Sequence, residues 1–94
     1  MSQKAMTKDE MFLMKLYELA CIAGDSQQEI DRYVVGKAIG QNDRGINAMS
    51  VLLAKANFIK KGQDTAFYLT DNGLRLVQQL LSERNYSAAL TKSH

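Results

Sequence analysis

Apolar residues recur at helical spacing in four stretches of the chain and alternate in one. In the first stretch, Phe12, Leu16, Leu19 and Ala23 fall on one line and Leu13, Tyr17 and Ala20 on a neighbouring line. That is the broad stripe of an amphipathic helix. Thr7-Lys8-Asp9-Glu10 precedes it as a capping box, and Gly24 follows it as a stop. The pattern predicts a helix from about residue 7 to residue 23. A second, shorter helix is predicted from Arg32 to about Ile39, capped by Asp31. Val34 or Val35, with Ala38 and Ile39, should face its core. Gly36 weakens this helix by about 1 kcal/mol relative to alanine, and a close helix crossing would account for it.

The third stretch starts almost at once. Gly40 can take the positive φ that ends a helix, and Asn42 can cap the next one. Ile46, Met49, Leu53 and Ala56 then share one face of a helix over residues 43–56. Arg44, Asn47, Ala48, Val51 and Lys55 form its other, mixed face. Asn57 stands where a left-handed cap would sit. Two helices so closely joined form a helix-turn-helix signature.

Alternation appears next. Phe67 and Leu69 alternate with Ala66 and Tyr68, the period of a half-buried strand. With residues 58–61 and the turn at Gly62-Gln63-Asp64 they predict a hairpin over residues 58–69. Ile30 is expected to begin a very short strand beside it. Thr70 caps a last helix whose inward face is Leu74, Val77, Leu80 and Leu81, flanked by Leu76. That helix is expected to end near residue 84 or 85.

Three segments resemble the winged helix-turn-helix domains of small regulators such as the MarR and PadR families. They are Ile39-Gly40-Gln41-Asn42-Asp43-Arg44-Gly45-Ile46, Leu53-Ala54-Lys55-Ala56-Asn57-Phe58-Ile59, and Tyr68-Leu69-Thr70-Asp71-Asn72-Gly73-Leu74, the last matching an L-T-x-x-G run. The resemblance covers about residues 30–82, with Asn57 where the pattern usually has glycine. It implies a mainly α fold with a small β-hairpin wing, in the order α1, short β1, α2, α3, β2, β3, α4. The domain is expected at residues 7–85, after a loose arm at 1–6 and before a partly disordered tail at 86–94. Residues 86–90 could add a short helix to that tail or swap onto a partner.

The resemblance implies a DNA-binding transcriptional regulator. On that reading the helix at 43–56 enters the major groove and its side chains meet base edges. Asn42, Arg44, Asn47, Ala48 and Val51 are the base-reading candidates. Arg44 can pair bidentately with guanine, Asn47 with adenine, and Ala48 or Val51 can meet a thymine methyl. Lys37, Lys55, Lys60, Lys61 and Gln63 are the phosphate candidates, because lysine supplies charge without sequence information. A homodimer through the first and last helices is expected, since paired domains span two half-sites. The competing reading is a winged-helix module that binds a protein and no DNA. Asp43, and the apolar Val51 and Leu52 on the reading helix, favour it.

Charge changes this picture little. The net charge is +2. Three lysines against five acids in residues 1–30 leave −2 there, so the remainder carries +4. The basic excess lies with the candidate reading helix and wing, but it is small for a nucleic-acid binder. Cys21, the single cysteine, allows no internal disulfide and reads as a small hydrophobe in or near the core. His94 is the single histidine and ends the chain. No nucleophilic triad, carboxylate pair, metal spacing or phosphate-cradling glycine loop is present, so no catalysis, metal or cofactor is expected. No apolar run reaches the ~20 residues of a membrane span, and the polar start does not resemble a signal peptide. A cytoplasmic location is the expectation.

Overall fold

The computed structural model describes residues 5–92, with side chains through Arg84. Its elements are α1 (Lys8–Ala23), β1 (Ile30–Asp31), α2 (Arg32–Ala38), α3 (Asp43–Lys55), β2 (Ile59–Lys61), β3 (Ala66–Leu69) and α4 (Asp71–Lys92). Four helices thus surround a small antiparallel sheet of strand order β1-β3-β2. The expected tail end at residues 93–94 and the expected arm at residues 1–4 lie outside the described residues.

Local signals set most of the boundaries. Thr7 accepts from the Glu10 backbone N–H while the Glu10 side chain accepts from the Thr7 N–H, so the capping box is formed. Gly24 ends α1 at φ 125°. Asp31 caps α2 through the Tyr33 N–H. Gly40 turns the chain at φ 81°, and Asn42 caps α3 through the Gly45 N–H at 2.8 Å. Asn57, just past α3, adopts φ 66°. The other left-handed residue of the region is Asp64, φ 52°, and not Gly62. Gly62 serves a different need: a Cβ there would run into the Glu29 carboxylate.

The core lies where α1, α2, α3, α4 and the sheet meet. Phe12, Leu13, Leu16, Val35, Ile46, Leu53, Ile59, Leu69 and Val77 are buried there. Tertiary packing of these faces, more than helix propensity, holds the helices. Ile46 reaches across to Gly36, so the helix crossing expected at that glycine is present. Ile30 and Asp31 pair with Phe67 and Ala66, which brings β1 alongside the β2–β3 hairpin.

Four expectations need correction. Ala23 and Ala56 are exposed, because each stands at a helix end where the core has already receded. Of the alternatives Val34 and Val35 it is Val35 that is buried, but Ala38, expected to face the core beside it, is exposed. Cys21 is exposed, one position beyond buried Ala20 and so about 100° around the helix from it. The last helix does not stop near residue 85 but continues to Lys92. Nothing in that stretch breaks it: there is no proline, and Ala88-Ala89-Leu90 are good helix formers.

Candidate nucleic-acid interface

α3 presents one exposed stripe. Arg44, Ala48, Val51 and Lys55 follow one another at intervals of four, three and four, so they share a face, and all four are exposed. Val51 is 54% exposed and its neighbour Leu52 60%. The opposite face of α3 carries Ile46, Met49 and Leu53 into the core. Ser50 is also buried, and its hydroxyl donates to the Ile46 carbonyl oxygen at 2.8 Å. That i−4 bond satisfies the one polar side chain on the inward face.

Lys55 leads to the hairpin. A groove of about 490 Å³ runs between α3 and β2. Val51 and Lys55 form one wall, Lys60 and Lys61 the other, with Ile59 and Phe67 at its floor. None of Arg44, Lys55, Lys60 and Lys61 takes part in an ion pair among the described residues. Their charges therefore remain available to an anion.

Other candidates sit differently. Lys37 is across the turn from the start of α3, with its ammonium 3.7 Å from the Asp43 carboxylate. Both groups are exposed, so the pair is worth no more than about 1 kcal/mol. The Asn42 side-chain oxygen is engaged as the α3 cap. Gln63 is not with the lysines. Its backbone N–H donates to Glu29 at 3.1 Å, in a hollow shared with Asp31 and Asp64 that disfavours phosphate.

Asn47 is held from within. Its side-chain oxygen accepts from an Arg32 terminal nitrogen at 3.2 Å and from the Tyr33 hydroxyl at 3.1 Å. Arginine only donates, so the carboxamide orientation is fixed with its oxygen toward α2. Bidentate pairing with adenine needs that oxygen as well as the nitrogen, so the expected adenine contact requires Asn47 to let go of both partners. What the sequence reading missed here is Arg32. It is half-buried, stacks on the Phe67 ring at 4.7 Å and donates its Nε–H to the Thr65 carbonyl at 3.1 Å. Its partners lie 15 to 35 positions away in sequence, so no local pattern could have marked it.

A second surface lies on the far side, where a groove of about 740 Å³ follows α1 and α4. Met11, Met14, Tyr17, Cys21, Ile22 and Leu81 line it, and Ile22 is 75% exposed. The Cys21 thiol one turn from Tyr17 raises the phenol above its ordinary value of 10.0, through a hydrogen bond first, then through charge repulsion and burial.

Among the described residues no cluster of three or more His, Cys, Asp or Glu could hold a metal ion, and no helix is long and apolar enough to cross a membrane. The chain matches no family model, no curated protein and no solved structure.

Proposed function

We propose that this is a winged helix-turn-helix domain that binds duplex DNA and regulates transcription, in the cytoplasm and as a homodimer. α3 enters the major groove, and the β2–β3 hairpin is the wing that meets phosphates. One observation carries this reading: an exposed stripe on α3, with Arg44 at one end and Lys55 at the other, continues into Lys60 and Lys61 across one groove. From Arg44 to Lys55 is about 16 Å along the helix at 1.5 Å per residue. A helix lying in the major groove can thus bring Arg44, at its N-terminal end, to base edges while Lys55, Lys60 and Lys61 meet phosphates at the other end. Arg44 is the base reader of first choice, with Ala48 and Val51 as apolar neighbours for a thymine methyl.

The groove along α1 and α4 supports the homodimer. Its apolar lining and the exposed Ile22 are the kind of surface that marks an interface. Two domains related by a two-fold axis would place two α3 helices on successive turns of DNA.

A second reading is a module that docks a protein through α3. Exposed Val51 and Leu52 on α3, at 54% and 60%, favour it.

Fluorescence anisotropy with mixed-sequence duplex DNA across a salt series separates the two. A log affinity that falls linearly with log salt, and that collapses in the Lys60→Glu/Lys61→Glu variant, supports DNA binding. No binding at low salt removes it and leaves the protein-docking reading. Sedimentation of the wild type and Ile22→Glu tests the dimer, which the new charge should dissociate.

A further inference from the structure

We propose that Arg32 is the positioning residue of this interface, the side chain that fixes the wing against α3. This rests on the DNA-binding reading for its affinity readout and on geometry alone for the rest. Arg32 opens α2 and is half-buried, with its guanidinium turned toward β3 and α3. The Thr65 carbonyl accepts twice from this one residue, from the backbone N–H at 3.0 Å and from Nε–H at 3.1 Å. A terminal nitrogen reaches Asn47 on α3 at 3.2 Å. The plane of the group lies over Phe67 of β3 at 4.7 Å, a cation–π contact. One side chain therefore joins the far end of the hairpin to the middle of α3.

Core packing of Ile59 and Phe67, with the Phe58 N–H bonded to the Leu53 carbonyl, ties the base of the hairpin to α3, and Arg32 adds a link at its loop end. β1 pairs with β3 over only two residues, and Glu29 accepts from the Gln63 N–H of the hairpin loop. Arg32 lines the same groove as Val51 and Lys55 of α3 and Lys60 and Lys61 of β2. Arg32 has no carboxylate partner among the described residues, so its charge adds to that of the groove it lines. The planar fork matters here. Lysine has one point charge and cannot hold Thr65, Asn47 and the ring face together.

The test uses the whole chain and mixed-sequence duplex DNA over a salt series. In the wild type, Lys60→Ala/Lys61→Ala should reduce the salt slope by about 1.8, two phosphate contacts' worth. In an Arg32→Gln or Arg32→Lys background the same two changes should reduce it by less than half as much, because the wing is no longer held in place. Equal reductions in all backgrounds overturn the proposal. So does an Arg32→Lys variant that behaves as wild type, which would make Arg32 a simple phosphate contact. Hydrogen exchange on the free protein gives the readout that needs no DNA. The Gly62 and Ala66 amides, which close the hairpin loop, should exchange at least tenfold faster in both Arg32 variants, with α1 amides unchanged. Unaltered loop exchange overturns the proposal. If the wild type binds no DNA, the function proposed above fails and exchange alone decides the role of Arg32. Should Arg32→Gln fail to fold, Asn47→Ala takes its place: it removes the α3 end of the link and should shrink the lysine effect in the same way, and a full lysine effect in Asn47→Ala overturns the proposal.

Discussion

Ile46 lies directly over Gly36 where α2 crosses α3, and a Cβ at position 36 would overlap the isoleucine side chain. Both residues are buried, Ile46 completely. Gly36→Ala should gain about 1 kcal/mol of helix propensity. The overpacking it forces costs about 1–3 kcal/mol. A net loss of stability is expected in urea denaturation. Combining it with Ile46→Ala should cost less than the two changes added separately, because they share one contact. A stabilised Gly36→Ala protein would mean that the crossing has slack.

Thr70 fastens α4 to the end of α3. Its hydroxyl donates to the Asn57 carbonyl at 2.5 Å and accepts from the Gly73 N–H at 3.1 Å. Its own N–H bonds the Phe58 carbonyl at 3.1 Å. Thr70→Val keeps the shape and loses both hydroxyl bonds, a cost of about 1–2 kcal/mol. Thr70→Ser should keep most of the stability. Thermal melts of the two variants side by side decide it: equal melting would show that the hydroxyl contributes little.

Tyr17 is expected to titrate late. Cys21 raises its phenol in the folded state. A group whose folded pKa is raised stabilises the fold below its unfolded pKa, near 10 for tyrosine, and that contribution is lost as pH rises through the folded value. Alkaline titration of phenolate absorbance should show the late component removed in Tyr17→Phe and moved toward 10 in Cys21→Ala. No change in Cys21→Ala would remove the thiol as the cause.

Asp43 opposes the proposed function while contributing little to the fold. Its only ion pair among the described residues is the exposed one with Lys37. Asp43→Asn should change stability by less than about 1 kcal/mol. It should tighten DNA binding, because one negative charge leaves the start of α3 and Lys37 is released to a phosphate. Weaker binding would count against α3 as the element that meets DNA.

The parts of the fold readable in the sequence were those set by neighbours in the chain. Thr7 with Glu10, Gly40 with Asn42, and Asn57 are each identified by residues within a few positions, and each takes the conformation its type favours. At Gly36 a close helix crossing is legible in the sequence but its partner is not, since Ile46 lies ten positions on. Burial was less readable near element ends: Ala23 and Ala56 keep the helical period but project past the core. Cys21 is exposed because the apolar stripe of α1 is wider than the core it covers. On the candidate interface, Arg44, Lys55, Lys60 and Lys61 are where their positions implied. The Asn47 side-chain oxygen is engaged by Arg32 and Tyr33, and the Gln63 backbone N–H by Glu29, all from distant points of the chain.

The two-residue pairing of β1 with β3 has a kinetic consequence. Ile30 meets Phe67 only after the chain has passed through α2, α3 and β2. The hairpin can zip from its own turn, but the third strand must wait until the intervening helices are compact enough to bring its ends together. Closing that long loop is entropically costly, and the return comes only when the helices are already packed. The sheet therefore acts as a clasp on the helix pair it encloses. Neither should melt alone, and the slowest-exchanging amides of α3 and β3 should open together, in one cooperative event.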